Sequence, residues 1–340
     1  MRFFGSRSPT VGCDLGRGAV KLVQLVKKAG GWKVVHAQLQ ELTPELHDDE
    51  AWPSTQAIQS AMQHRWVVDQ PVAVSLQGRP AVVRYLDLPP IPSHEVSEAL
   101  RWEAKKVTSL GEGEVIIDYL AGKESDSKVP VTMVVAERAG VDREFQQYRR
   151  SGLRVAAMET NPVAFFHAVH RLGQDQTGAG CVALVDIGAG RMDINIVKHG
   201  TLRFSRSISL GGDALTQSLM EKFGVDVSQA EALKREQGLS GKAKVLEALG
   251  PEVDRLIVEI QRSVDYYRAQ SHDGTLERML LAGGTPLMPG FVEYISSFFD
   301  AKVSLFNPFE GMDCGTVGPD LAPVAPRYAS SVGLALRGRA

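Results

Sequence analysis

The feature that most constrains this chain is a short pattern that it carries twice. Residues Cys181 to Ile196 read Cys-Val-Ala-Leu-Val-Asp-Ile-Gly-Ala-Gly-Arg-Met-Asp-Ile-Asn-Ile. An apolar run ends at Asp186, a tight Gly-Ala-Gly turn follows, and Met192, Ile194 and Ile196 then alternate with polar residues. That spacing predicts a buried strand, a glycine turn and a second strand. Near the N-terminus, Val11 to Gly18 (Val-Gly-Cys-Asp-Leu-Gly-Arg-Gly) leads into Val20-Lys-Leu-Val-Gln-Leu in the same way. Asp14, Gly16 and Gly18 recur as Asp186, Gly188 and Gly190, each 172 residues further on (186 − 14 = 172). Each copy continues through a small turn, Ala29-Gly30-Gly31 or His199-Gly200, into a third strand, Trp32 to Gln38 or Leu202 to Ile208. The chain therefore reads as two related halves, each opening with a three-strand meander. Glycine-turn hairpins are common and most bind nothing, so the repeat is what gives the motif weight. A carboxylate at such a turn can order a hydrated cation, and the glycines let backbone N–H groups approach an anion closely. Two such hairpins facing each other would clamp a polyphosphate from both sides.

A chain of 340 residues has room for about two domains and a sizeable core. A net charge of −2 gives no support for a nucleic-acid or membrane-surface role. Cys13, Cys181 and Cys314 lack metal spacing, and Cys13 and Cys181 sit in the apolar strands beside the hairpins, where they read as small buried hydrophobes. No apolar run approaches the roughly 18 residues of a membrane span, and Met1 to Ser8 is too short for a signal peptide. Phe3 and Phe4 read as part of a frayed terminus, and the expected compartment is the cytoplasm.

Taken in order, Glu41 to Asp49 reads as a loop, Trp52 to Trp66 as a helix and Val72 to Leu76 as a strand. A strand–helix–strand–strand–helix unit follows, with its own core. Its parts are Val82 to Leu88, a helix capped by Ser93 with Val96, Leu100, Ala104 and Val107 on one face, Val115 to Tyr119, Val129 to Ala136, and a helix from Val141 to Arg150 that buries Val141, Phe145 and Tyr148. Leu153 to Met158 is the returning strand, Glu159 to Pro162 starts a helix, and Gly173 to Gly180 is a hinge candidate. His167 and His170 on that helix read as surface or satisfied core positions, because no third metal ligand lies nearby. In the second half, Asp213 is expected to cap a helix through Phe223. Val227 to Gln237 is a further helix, and Leu239 to Lys244 an exposed loop. Val253, Leu256, Ile257, Ile260, Val264 and Tyr267 form the apolar stripe of a long helix. Met279 to Leu281 is a strand ending in Ala282-Gly-Gly-Thr285, which is expected to place backbone N–H groups at the start of the next helix, a seat for phosphate or ribose. Val303 to Phe306 is the last strand, Pro319 to Pro326 a loop, and Tyr328 to Leu336 a helix whose small residues allow close packing.

Two Asp-x-Gly hairpins, a Gly-Gly after a strand and a small-residue terminal helix, in this order, resemble the actin-like ATPase superfamily. The resemblance narrows at Asp14 to Leu25, at the unit between Val82 and Leu153, at Leu281-Ala-Gly-Gly-Thr-Pro-Leu-Met-Pro-Gly290 and at the Asn-Pro-Phe after Val303. These look like the PilM family of the type IV pilus assembly platform, over essentially the whole chain, with an inserted unit placed as in FtsA. The resemblance implies an α/β actin-like fold of two duplicated halves. Residues 1–81 and 154–178 would form the first layer, 82–153 an inserted subdomain, 179–212 and 275–326 the second layer, 213–274 a helical subdomain, and 327–340 a helix crossing between the halves. It implies ATP or ADP with Mg²⁺, bound by Asp14, Gly16, Arg17, Gly18, Asp186, Gly188, Ala189, Gly190, Arg191, Gly283 and Gly284, with Asp14 and Asp186 holding the metal through water.

Relatives usually carry Ser or Thr in the first hairpin, where this chain has Arg17, Gly18 and Ala19, and often Thr in the second, where it has Gly190 and Arg191. Each lost hydroxyl removes about 1–3 kcal/mol of phosphate contact. Arg17 and Arg191 either replace those contacts by ion pairing or point to solvent. No general base or water-positioning residue is identifiable, so the expectation is an ATP-binding protein with at most weak ATPase activity. The implied partner is the cytoplasmic N-terminal tail of a PilN-like inner-membrane protein, with PilO- and PilP-like components beyond it. Membrane association would run through these partners only, and self-association stays open. The tail is expected between the inserted subdomain and the first layer, at Tyr85, Leu86, Leu88, Leu100 and Trp102. A sugar or acyl kinase of the same superfold would need a catalytic carboxylate in the first half, for which no distinct candidate stands out. A filament protein like FtsA would carry an amphipathic membrane tail, which Leu336-Arg-Gly-Arg-Ala340 does not resemble.

Overall fold

The computed structural model describes residues 10–42, 59, 66–67, 69–76, 81–106, 113–122, 128–174, 180–271 and 275–337. The body of the helix expected over Trp52 to Trp66, most of the loop after Glu41, most of the hinge candidate before Gly180, Val107, Phe3 and Phe4 lie outside them.

The duplication read from the hairpins extends to the whole sheet. The first sheet has the order β3 (Gly31–Glu41), β2 (Ala19–Lys28), β1 (Val11–Leu15), β4 (Pro71–Leu76), β8 (Arg154–Thr160). The second has β11 (Thr201–Ile208), β10 (Met192–Lys198), β9 (Cys181–Ile187), β12 (Leu276–Ala282), β13 (Lys302–Leu305). In both, an antiparallel meander is extended by two strands parallel to the first. The parallel strands cannot follow by tight turns, so each needs a long crossover. The first half uses one crossover for the inserted unit and the second uses one for its helices.

The inserted unit is a three-stranded antiparallel sheet, β5 (Ala81–Leu88), β7 (Val129–Glu137), β6 (Val115–Ala121), under helix α1 (Ser93–Ala104). Val96, Leu100 and Ala104 of α1 pack on Leu88, Val131, Met133 and Val135. Pro92, not Ser93, occupies the cap position of α1, and Ser93 is its first helical residue. Helix α2 (Arg138–Arg150) leads back to the first sheet, where the Tyr148 hydroxyl donates to the Ser75 carbonyl at 2.7 Å. It buries Gly140, Glu144 and Tyr148, while Val141 and Phe145 are only half-buried. Packing on the sheet has selected a face one residue away from the apolar pair that the sequence suggested.

Helix α3 (Asn161–Arg171) follows β8, and helices α4 (Gly212–Phe223), α5 (Val227–Glu236) and α6 (Ala243–Ser271) fill the second crossover. Asp226 caps α5 through a reciprocal pair with Gln229. The exposed loop expected over Leu239 to Lys244 is instead a 3₁₀ turn, Gly238–Ser240, running into α6 at Ala243. Leu239 packs on the second-half core, and its N–H donates to the Pro289 carbonyl at 2.8 Å. Helix α7 (Phe291–Ser296) follows β12, and Pro319 to Pro326, expected as loop, is helical: α8 (Gly318–Leu321) and then a 3₁₀ run to Tyr328.

Between the two sheets lie α3 and the terminal helix α9 (Ala329–Leu336), in one continuous core with Val23, Leu25, Val182, Leu184 and Phe306. The small residues of α9 have a steric reason. A Cβ at Gly333 would sit 1.7 Å from the Ala164 carbonyl of α3, and one at Gly12 of β1 would sit 1.9 Å from the Ser331 carbonyl of α9. Three backbones touch, and this seats α9 on the first half.

The inserted sheet also leans on the second half, a contact the sequence did not suggest. The Thr132 hydroxyl donates to the Leu202 carbonyl at 3.1 Å, and the Arg203 guanidinium lies 4.6 Å over the Tyr85 ring while donating to its hydroxyl.

Candidate functional site

Both hairpins open onto one cleft of about 910 Å³ between the halves. In the first, the Gly16 N–H donates to the Ala19 carbonyl at 3.0 Å, and in the second the Gly188 N–H donates to the Arg191 carbonyl at 2.9 Å. The second hairpin is tied down from behind. The Gly188 carbonyl accepts from the Gly212 N–H at 2.9 Å and from the Thr285 hydroxyl at 3.0 Å, and the Ala189 carbonyl accepts from the Asp213 N–H at 2.7 Å. Gly283, at φ +93°, passes so close to Ile187 that a Cβ would lie 2.3 Å from its carbonyl oxygen.

Asp14, Gly16, Arg17, Gly18, Asp186, Gly188, Ala189, Gly190, Arg191, Gly283 and Gly284 all line this cleft. Two expectations about its walls change. Gly283 and Gly284 precede a single 3₁₀ turn, Thr285–Leu287, while α7 starts only at Phe291 behind a left-handed Gly290, so the pair does not sit at that helix's N-terminus. Asp213 does not cap α4, because Gly211 holds the cap position and the Asp213 side chain is turned to Arg17.

The charges are arranged asymmetrically. Asp14, only 4% exposed, accepts from Lys21 Nζ at 2.8 Å and from Asn161 Nδ2 at 3.3 Å. Asp186 has a Ser330 hydroxyl at 3.5 Å, and burial, then the nearby Asp193 and Asp14 charges, push its carboxyl up to about 7. Asp193 accepts from Arg191 Nε at 3.1 Å and from the Ser207 hydroxyl. Arg17 donates to Asp213 at 3.2 Å, so both hairpin arginines face carboxylates. Lys21 and Asp193 were not singled out from sequence, although they too are 172 residues apart (193 − 21 = 172). The same step applied to every hairpin position, not only to Asp and Gly, would have found them. Glu231 and Lys234 of α5, also on the cleft wall, bond each other and Thr216, a neighbourhood no local pattern reveals.

Among the described residues there is no cluster of three side chains able to ligate a metal directly. Two carboxylates on opposite hairpins, one of them held near neutrality by burial and like charge, fit a cation that keeps its water shell.

The residues expected to meet a partner divide. Leu88 and Leu100 are buried in the inserted unit's own core, and Leu86 packs on it. Tyr85 is engaged with Arg203 and Asp87. Trp102 is 62% exposed, with the Lys105 ammonium 4.2 Å over its ring.

Two sheets of identical strand order, joined through a helix pair and opening a hairpin-lined cleft, define a protein of the actin-like ATPase fold. A family model described as "Type IV pilus assembly protein PilM" matches residues 12–339. The chain belongs to the PilM family. Its fold is similar to a solved "PilM-PilN type IV pilus biogenesis complex", with a TM-score of 0.83 at 22% identity over 98% of this chain and 99% of that one. It is also similar to the ethanolamine utilization protein EutJ from Carboxydothermus hydrogenoformans, with a TM-score of 0.57 at 17% identity over 98% of this chain and 91% of that one. Among curated proteins it is 24% identical to the cell division protein FtsA of Neisseria meningitidis serogroup B over 266 residues, 72% of this chain and 61% of that protein. The FtsA of Streptococcus pneumoniae serotype 2 is 24% identical over 182 residues, 47% of this chain and 38% of that protein. These matches span less than two thirds of the FtsA chains. Among the described residues no helix is long and apolar enough to cross a membrane.

Proposed function

We propose that this protein is a nucleotide-binding adaptor at the cytoplasmic face of the type IV pilus inner-membrane platform. The observation that carries the reading is the pair of Asp-bearing hairpins facing each other across one cleft that Gly283 and Gly284 also line. Their backbone N–H groups suit the phosphates of ATP or ADP. Asp14 and Asp186 would hold Mg²⁺ through water, and the metal, when bound, neutralises phosphate charge. Lys21 adds a cation beside the first hairpin and orients Asp14. Asn161 on the cleft wall donates its amide to Asp14. The carboxylates Glu41 and Glu231 on the cleft wall are engaged by Arg327 and Lys234, which supports binding with at most weak hydrolysis.

The nucleotide would hold the two layers (1–81 with 154–178, and 179–212 with 275–326) and the helical subdomain (213–274) in one arrangement, with 327–340 between them. The inserted subdomain, 82–153, would then offer its surface to the cytoplasmic tail of a PilN-like membrane protein, and through it to PilO- and PilP-like components. Family membership and the likeness to a solved PilM–PilN complex support that partner. Trp102 is the contact residue this reading favours, since Leu88 and Leu100 are used internally.

The test is a pulldown from solubilised inner membranes with the purified chain and Mg-ATP. Recovery of a bitopic pilus protein supports the adaptor. Phosphoryl transfer to a small molecule, with no such protein retained, would point to a kinase.

A further inference from the structure

We infer that Glu41 is the latch of the cleft: with Arg327 and Arg235 it closes the mouth between the halves and sets how fast a nucleotide enters and leaves. This rests on the cleft being a nucleotide site and adds what controls exchange there.

The three residues come from three separate walls. Glu41 ends β3, the edge strand of the first sheet. It pairs with Ala19, and the next N–H, that of Leu42, donates to the Gly18 carbonyl at 3.1 Å, so its backbone is tied to the first hairpin. Arg327 lies 286 positions further on, on the wall of the second half. There the Gly283 N–H donates to the carbonyl of the preceding Pro326 at 3.1 Å. Arg235 stands on α5 of the helical subdomain. The Arg327 guanidinium grips the Glu41 carboxylate twice, Nη1 donating to Oε1 at 2.6 Å and Nη2 to Oε2 at 2.9 Å. Arg235 Nη2 reaches within 3.8 Å of Oε2.

The exposures place this contact at the mouth. All three residues line the cleft, and their side chains grade outward, Arg327 15% exposed, Glu41 40% and Arg235 59%. A two-pronged arginine–carboxylate pair with a second cation beside it is stronger and more directional than an isolated surface pair. Both backbones beneath it are anchored, so parting the walls at this point breaks the pair. The Arg17–Asp213 bond also crosses between the halves, so loss of Glu41 loosens the mouth without releasing every tie.

The latch does not fill the space it guards. With the pair made, the cleft still measures about 910 Å³, and pockets for small ligands run from about 300 to 1,000 Å³. A nucleotide therefore fits behind the closed latch. A carboxylate repels phosphate, and this one already faces two guanidinium groups. Glu41 thus acts on the barrier to passage, and that barrier is crossed in both directions.

Stopped-flow mixing of the full chain with fluorescently labelled ADP and Mg²⁺, followed by a chase with unlabelled ADP, measures both rates. Glu41→Gln, which keeps the size and removes the charge, should speed association and release alike by about fivefold or more, with affinity changed less than about twofold. Arg235→Gln leaves the two-pronged pair in place and should speed both by less. Added salt should narrow the gap between wild type and Glu41→Gln, because it screens exposed charges. Unchanged rates in Glu41→Gln would overturn the latch while leaving the nucleotide site standing. Faster release with unchanged association, and affinity lost in proportion, would make Glu41 a ligand contact and overturn the latch as well. Failure of the unmodified chain to bind the nucleotide would overturn both.

Discussion

Asp186 sits directly across the strand pair from Asp193, whereas its duplicate Asp14 sits across from Lys21. The same hairpin is thus built once with a neutralising partner and once with a second acid.

The consequence is a pH dependence. The ordinary carboxyl value is 3.8, and burial with Asp193 and Asp14 raises Asp186 to about 7 in the folded chain. Between those values the folded chain holds a proton that the unfolded chain has lost, so this group's contribution to stability declines as pH rises across that window. Thermal melts of the nucleotide-free protein should show wild type losing stability from about pH 4 to about pH 7, and Asp186→Asn losing less. Saturating Mg²⁺ should shrink the difference. Parallel profiles for the two proteins would show that Asp186 titrates normally.

The backbone contacts around α9 predict a packing defect out of proportion to one methyl group. Gly333→Ala drives a Cβ toward the Ala164 carbonyl, and no side chain there can rotate away. The expected loss is about 1–3 kcal/mol in urea unfolding. Gly30→Ala, which would meet nothing within 4 Å, is the control and should change little.

Leu100 and Trp102 are two residues apart on α1 and should behave oppositely. Leu100 is fully buried, so Leu100→Ala should cost about 2–5 kcal/mol of stability. Trp102 is exposed, so Trp102→Ala should leave folding and nucleotide affinity unchanged. It should weaken a PilN-like tail peptide by at least about tenfold, ~1.4 kcal/mol. A tail that binds Trp102→Ala normally and crosslinks to the second half would move the partner site.

Turnover gives a further prediction. With Glu41 and Glu231 of the cleft wall engaged by Arg327 and Lys234, phosphate release from ATP should stay far below the enzyme median of about 10 s⁻¹. A rate near that median in a purified sample would overturn the adaptor reading.

The sheets were legible because alternation and glycine punctuation are local signals, and the 172-residue repeat turned two weak motifs into one architecture. The long stripe of α6 and the small residues of α9 were legible for the same reason. What escaped depends on neighbours distant in sequence. Asp213 has the look of a helix cap, but Arg17 arrives from the other half and claims its carboxylate. Leu239 sits in a polar stretch, but Pro289 and the second-half core hold it. Lys21 looks like an ordinary outward lysine of an alternating strand until the hairpin folds it over Asp14.

The central claim is that the cleft between the duplicated hairpins is a Mg-nucleotide site, and calorimetric titration with Mg-ATP tests it most directly. The account predicts saturable binding at one site per chain, weakened at least about tenfold by Asp186→Ala with the fold intact by circular dichroism. Unchanged affinity in Asp186→Ala, or no binding by the unmodified chain, would contradict it.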